Sequence, residues 1–281
     1  MLCNDCPRNC NVDRDKQVGF CKEKNKIRVA KVIENFMWEE PCISGEKGAL
    51  AIFFSGCNLR CEFCQNFDIS HKSVGKEFSP EEFIAMIKSY DLSKFSCIDL
   101  ITPTHFSSLL CQAFHGEHLS LPIVWNSSGY EKKETIDKVS EFVDIFLPDL
   151  KYFDRDLAMS LSMAEDYFKV AIEAIREMRS NKKEDLFSKD GLLQSGVLIR
   201  HLVLPGHSKD SFKVLDAIKE NIKDPLISIM SQFTPHNDST LERKLYPLEY
   251  KAVLSHAEKL KLDKGFMQEF SSADENFIPK F

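Results

Sequence analysis

The 281-residue sequence predicts an α/β chain folded as a partial (β/α)6 barrel, with a small cysteine-rich segment in front of it. Three observations carry that prediction. Six short apolar runs recur, each followed by a stretch of helical periodicity. The runs are almost continuously apolar, as parallel strands covered on both faces are. Each run ends in polar residues, where right-handed crossovers would gather the strand ends on one rim. Six units fall short of the eight that close a barrel. A doubly wound sheet is the alternative. The expected division is residues 1–45 for the cysteine-rich segment and 46–281 for the barrel.

Taken in order, residues 1–25 (MLCNDCPRNCNVDRDKQVGFCKEKN) hold Cys3, Cys6, Cys10 and Cys21 among few apolar side chains. Such a stretch cannot build a core, so a metal is the expected source of order. Four thiolates suit a structural zinc or a second iron–sulfur cluster. Cys42, in EEPCISGEKG, either joins that site or sits free near the next group of cysteines. Residues 27–37 read as a strand or a short helix.

Residues 52–66, IFFSGCNLRCEFCQN, are the centre of the chain. An apolar strand runs into Ser55-Gly56, and Cys57, Cys61 and Cys64 follow within eight residues. Three soft thiolates so close select zinc, copper(I) or an iron–sulfur centre. Zinc would want a fourth protein ligand, and none lies beside the trio. A cubane cluster has four irons, so three cysteines leave one iron open for a non-protein ligand.

Downstream, Ser79-Pro80-Glu81-Glu82 has the pattern of a capped helix start. Strands are expected at 97–102, 121–125, 143–147, 197–204 and 226–230. Helices are expected after Ser79, after His105, over 131–140, 163–179 and 209–221 (with Ser208 as cap), and over 247–260. Residues 181–195 read as a loop, and 266–270 as a short seventh strand. The strand ends supply a polar inventory: Thr104 and His105, Asn126, Ser127 and Ser128, Asp149 with Lys151, Arg200 with His201, and Gln232 with Thr234 and His236. Asp149 and Lys151 alternate onto one face and suit an ion pair, whereas His201 faces away from Arg200 in a regular strand. Polar groups at every strand end suit a cavity for a polar cofactor. Cys97 and Cys111 read as core thiols.

Basic residues number 37 against 43 acidic, a net charge of -6, which weighs against nucleic acid as partner. No apolar run reaches the length of a membrane span. Clustered cysteines without an apolar leader indicate reduced thiols in a cytoplasm.

The Cys-x3-Cys-x2-Cys order, with Phe63 before the last cysteine, resembles the signature of the radical S-adenosylmethionine (SAM) superfamily. Phe53 to Cys61, Cys64-Gln65-Asn66, Asn126 to Tyr130, Asp149-Leu150-Lys151 and Arg200 to Gly206 resemble the activating enzymes of glycyl radical enzymes. The cysteine-rich start, Glu40 to Gly45, Thr102 to His105 and Met230 to Gln232 resemble a branch labelled pyruvate formate-lyase activating enzyme-like. Thr102 to His105 stands where the activating enzymes carry a Gly-Gly-Glu strand end. The resemblance implies a radical SAM-type, TIM-like partial barrel. It also implies a [4Fe-4S] cluster on Cys57, Cys61 and Cys64, with SAM on the open iron. Reductive cleavage of SAM would give a deoxyadenosyl radical that abstracts hydrogen from a protein or small molecule. Thr104, His105, Asn126, Ser127, Ser128, Asp149, Lys151, Arg200 and Gln232 are the expected cofactor contacts. The implied partners are an electron donor such as flavodoxin or ferredoxin and a protein substrate, as in glycyl radical activation. Radical modification of a small molecule or peptide is the second reading, and a non-catalytic iron–sulfur or zinc electron-transfer module the third.

Overall fold

The computed structural model describes residues 2–235 and 239–270. After an irregular stretch over 2–26 come β1 (Ile27–Phe36), α1 (Pro41–Ser44), β2 (Ala49–Phe54), α2 (Phe67–His71) and β3 (Lys76–Phe78). Then follow α3 (Pro80–Lys88), β4 (Ile98–Ile101), α4 (Ser107–Phe114), β5 (Ile123–Ser127), α5 (Lys133–Val139), β6 (Ile145–Pro148), α6 (Arg155–Ser162) and α7 (Tyr167–Asn181). The remaining elements are β7 (Leu186–Phe187), β8 (Leu193–Leu202), α8 (Ser208–Asn221), β9 (Leu226–Met230), α9 (Pro247–Lys259) and β10 (Gly265–Met267).

The sheet order is β10-β9-β8-β6-β5-β4-β2-β1-β3, with β7 paired to β8. From β2 to β10 neighbouring strands on this path are parallel, and β1 and β3 are antiparallel additions at one edge. Along the parallel part the order follows the chain without reversing. A doubly wound sheet would reverse at its switch point, so that alternative is not what the chain adopts. Crossovers of one hand and one direction put their helices on one face. The helices α3, α4, α5, α7, α8 and α9 accordingly contact one another in succession.

Side-chain alternation builds two cores. Ile52, Phe54, Leu100, Trp125, Phe146, Val197 and Ile199 face the helix layer and meet Phe83, Leu110, Ile136, Ile175 and Val214. The residues between them, Ala51, Phe53, Ile101, Val124, Ile145, Leu147, Leu198 and Leu226, form a second cluster on the opposite face. Phe53 of β2 lines one cavity together with Met230 of β9 and Phe266 of β10, so the sheet curls around this face.

Several elements begin where local chemistry says they should. Ser79 accepts from the Glu82 N–H, and Glu82 returns a bond to the Ser79 N–H, completing the capping box that starts α3. Other boundaries differ from the sequence pattern. Ser208 is the first residue of α8, and His207 holds the cap position without a side-chain bond. The helix expected from 163 starts at Tyr167, and α6 precedes it, capped by Asp154 accepting from the Leu157 N–H. α6 is short, eight residues, and its buried face is Ala158, Leu161 and Ser162. Of residues 27–37, Ile27–Phe36 are strand, paired to β2 and β3. The irregular cysteine-bearing stretch therefore ends before Ile27, and residues 27–36 belong to the sheet.

Candidate functional site

β2 ends at Phe54, and the chain turns at Gly56 with φ of 78°. A Cβ there would stand 2.5 Å from the Cys21 carbonyl oxygen, so both the conformation and the space require glycine. The turn delivers Cys57, Cys61 and Cys64 to one wall of a cavity of about 560 Å³ at the carboxyl ends of the strands. Backbone N–H groups two residues on donate to two of the sulfurs, Leu59 to Cys57 at 3.3 Å and Asn66 to Cys64. Ser162 Oγ donates to Cys61 Sγ at 2.9 Å. The loop is fastened on three sides. Asn58 Nδ2 donates to Tyr130 O at 2.7 Å, Gln65 Nε2 to Gln232 O at 2.8 Å, and the Glu62 N–H to Leu161 O at 3.0 Å. Phe63 packs on Tyr152 and Phe233. Burial, then the neighbouring Cys61, pushes the Cys64 thiol up to about 12. Burial also raises Cys61, against the nearby Lys151 charge. Without metal these thiols hold their protons, and metal binding must release them.

The opposite wall is a charged network made by inward positions of successive strands. Arg200 Nε donates to Asp149 Oδ1 at 3.0 Å, its Nη1 to Glu39 Oε2 at 2.8 Å, and its Nη2 to Asn126 Oδ1 at 2.6 Å. Lys151 Nζ reaches Asp149 Oδ2 at 2.6 Å, which is the ion pair suggested by their spacing. Burial works against the Asp149 carboxylate, but Lys151 and Arg200 outweigh it and hold Asp149 below its usual range. Burial likewise opposes the charge of Lys151, and Asp149 more than restores it. Glu39 is pushed up to about 7 by burial, with Arg200 pulling the other way. Asp99, fully buried behind it, is raised well above the carboxylate range by burial and then by Glu39. The Glu39–Asp99 pair therefore retains a proton near neutrality, since two adjacent buried carboxyls cannot both ionise.

A second polar cluster lies beneath the rim. Glu131, buried at 1% exposure, accepts from Trp125 Nε1 at 2.7 Å, Thr104 Oγ1 at 2.8 Å and Ser127 Oγ at 3.1 Å. The Thr104 and Ser127 hydroxyls are thus turned to Glu131. His105 Nε2 donates to Ser55 O at 2.7 Å, and burial, then the Arg14 charge, lowers the ring to about 3. His105 is therefore a neutral strut behind the cysteine loop. Neither Thr104 nor His105 lines the cavity. Asn126, Ser127, Ser128, Asp149, Lys151, Arg200 and Gln232 do. Among them Ser128 Oγ is buried without a hydrogen-bond partner. His201 faces outward, its Nδ1 bonded to Leu150 O. Thr234 is buried, and His236 lies outside the described residues. Thr102 holds φ at 63°, a costly conformation for a β-branched residue, at the cavity edge.

Cys42 does not join the N-terminal cysteines. It is buried in α1 within the inner core, beside Cys97, and its charged neighbours are Glu40 and Asp185. Trp38, Glu39 and Glu40, from the loop before α1, and Phe266, Met267 and Gln268, at the end of β10, also line the cavity, where the sequence pattern did not place them. Two adjacent acids before a helix-starting proline were the one local sign of the first group. A wider open depression of about 810 Å³ lies between residues of the N-terminal stretch, α4, α5 and α7, with none of the three loop cysteines on it.

Among the described residues no three Cys, His, Asp or Glu side chains stand as ligands of a single metal ion. A cubane cluster demands something else, because each thiolate takes its own iron. Three soft sulfurs on one short loop, with an unpaired hydroxyl and a charged wall facing the same cavity, fit an iron–sulfur centre with a polar organic ligand beside it. No helix of the described residues is long and apolar enough to cross a membrane.

Comparison with known proteins bears directly on this site. The uncharacterized protein MJ0674 of Methanocaldococcus jannaschii is 30% identical over 279 residues, covering 93% of this chain and 75% of that protein. The pyruvate formate-lyase-activating enzyme of Clostridium pasteurianum is 26% identical over 183 residues, covering 62% of this chain and 70% of that enzyme. The solved structure of a mutant spore photoproduct lyase has a TM-score of 0.50 at 10% identity, covering 76% of this chain and 74% of that one, a likeness of fold. The radical SAM superfamily profile matches residues 51–218, from the strand before the cysteine loop to α8. The chain, with its strand-end cysteine loop inside that match, belongs to the radical SAM superfamily.

Proposed function

We propose that this protein is a radical SAM enzyme that holds a [4Fe-4S] cluster on Cys57, Cys61 and Cys64 and SAM in the adjoining cavity. The observation that carries the reading is that the three thiols share one cavity wall facing Asn126, Ser128, Asp149 and Lys151. When bound, the cluster and SAM supply a reductively generated deoxyadenosyl radical for hydrogen abstraction. The chain's own residues do the rest. The backbone N–H groups of Leu59 and Asn66 and the Ser162 hydroxyl stabilise sulfur charge. Lys151 sits within electrostatic reach of Cys61 and favours its thiolate. Asp149 keeps a full charge near the cavity and is suited to a cationic group, and Ser128 Oγ to a ligand hydroxyl. Arg200 spends three of its five N–H donors on Asp149, Glu39 and Asn126 and so positions those groups at the cavity wall.

The narrower reading is activation of a glycyl radical enzyme, supported by the likeness to a pyruvate formate-lyase-activating enzyme. Anaerobic reconstitution followed by assay of 5′-deoxyadenosine release from SAM tests the broad reading. Release that vanishes in Cys57→Ala, Cys61→Ala and Cys64→Ala is expected, and a reconstituted cluster that neither binds nor cleaves SAM would overturn it. Electron paramagnetic resonance after mixing with a candidate partner tests the narrower one. SAM turnover that never yields a protein-based glycyl radical counts against it.

A further inference from the structure

The stretch over residues 2–26 is ordered without a core. Its buried side chains are Cys6, Arg14, Cys21 and Glu23: two thiols, a guanidinium and a carboxylate, with no buried aliphatic or aromatic group. It contains no helix or named strand, only turns and an isolated bridge between Leu2 and Asp13. A segment of this kind gains little from the hydrophobic effect and needs a staple.

The turns gather four thiols. The Cys3 N–H donates to Val12 O at 2.8 Å and the Asn11 N–H to Cys3 O at 3.0 Å, closing one loop around Cys6 and Cys10. The sulfurs of Cys10 and Cys21 flank Gly19, lying 3.4 and 3.8 Å from where a Cβ would stand. Cys6 is within electrostatic reach of Cys21, Cys10 and Cys3. The sulfurs are also dressed by backbone donors. The Arg8 N–H points to Cys6, the Glu23 N–H to Cys21, and the Phe20 N–H to Cys10 Sγ at 3.3 Å. Two of these, Arg8 to Cys6 and Glu23 to Cys21, come from two residues on, which is the pattern at Cys57 and Cys64. At Cys42 and Cys111 the backbone N–H that reaches the sulfur is the residue's own. Donors aimed at sulfur serve a thiolate far better than a neutral thiol.

We infer that Cys3, Cys6, Cys10 and Cys21 form a second, four-thiolate metal centre, separate from the cysteine loop and excluding Cys42. Four soft sulfur donors take zinc or an iron–sulfur cluster. The four sulfurs do not already surround a single ion among the described residues, so binding couples thiol deprotonation to side-chain rotation. The centre would brace the other site mechanically. Cys21 O packs against Gly56, and Arg8 donates to Asn58 O, inside the loop between Cys57 and Cys61, and to the carbonyl of Ser162, whose hydroxyl donates to Cys61 Sγ. This inference does not rest on radical chemistry at that loop.

The test uses the full chain with Cys57, Cys61 and Cys64 all replaced by alanine and purified anaerobically, so that any thiolate-bound metal belongs elsewhere. Metal analysis and X-ray absorption should find one bound centre ligated by sulfur alone. Zinc without visible colour and an iron–sulfur chromophore both support the inference and identify the metal. Adding Cys10→Ser, at a partly exposed position, should lower metal affinity roughly tenfold or more. Adding Cys42→Ser or Cys111→Ser should leave it unchanged. A metal-free background chain, metal indifferent to Cys10→Ser and Cys6→Ser, or two native disulfides among the four would overturn it. If Cys10→Ser fails to fold, sulfur ligation in the background chain decides: a mixed or nitrogen–oxygen shell overturns the assignment.

Discussion

His105 offers a prediction with a magnitude. The ring is 2% exposed, its Nε2–H is held by Ser55 O, and its Nδ1 has no partner. Burial, then Arg14, drops its value from 6.5 to about 3. Between those values the unfolded chain binds a proton that the folded chain refuses. Stability therefore rises with pH across that window and falls in acid. At pH 5 the unfolded histidine is almost fully charged while the folded one stays neutral, so this single group costs about 2 kcal/mol relative to neutral pH. That result barely depends on the folded value, because pH 5 lies well above it. His105→Gln retains a donor for Ser55 O and cannot titrate. Denaturant unfolding of both chains at pH 7 and pH 5 should show wild type losing about 2 kcal/mol more than the variant. The His201 ring, also lowered by burial, is present in both and cancels. Equal losses, or an imidazole resonance that titrates near its ordinary value, would refute the buried neutral strut and return His105 to the list of cofactor contacts.

Three further outcomes follow from the same structure. Arg200→Met leaves Asp149 and Glu39 buried without their guanidinium and should destabilise the chain by about 3–5 kcal/mol, whereas Arg200→Lys keeps the charge but not the three-way fork and should fall between; thermal denaturation ranks them. Gly56→Ala forces a Cβ onto Cys21 O at a positive φ and should cost ~2 kcal/mol or more, with lower iron uptake on reconstitution; unchanged stability would mean that the N-terminal stretch does not pack there. Cluster assembly on Cys57, Cys61 and Cys64 should become more complete as pH rises, because burial holds Cys61 and Cys64 protonated; iron uptake that is flat with pH from 6 to about 9 would contradict that.

Much of this protein could be read along the chain because the determining interactions are local. The capping box at Ser79 and Glu82, the strand at 226–230 and the Gly56 turn into three cysteines each need only their neighbours in sequence. Alternation along β8 sent Arg200 inward and His201 outward, and Asp149 and Lys151 met as a pair. The reading faltered where a polar residue's partner is distant. Thr104 and His105 follow a strand end, yet Glu131 and Ser55 claim their polar atoms and keep them off the cavity. Cys42 has the same chemistry as the N-terminal thiols, but α1 packs it into the inner core.

The succession of parallel strands and helices, the cysteine loop and the supply of polar groups at the rim were set by residue pattern, since periodicity and turn chemistry act over a few residues. Which of those groups reach the cavity, and that Glu39 crosses 161 positions of sequence to share Arg200 with Asp149, was decided only when the sheet curled. Burial is the reason: a charge removed from water must find whatever partner the fold brings near, and the fold alone chooses that partner.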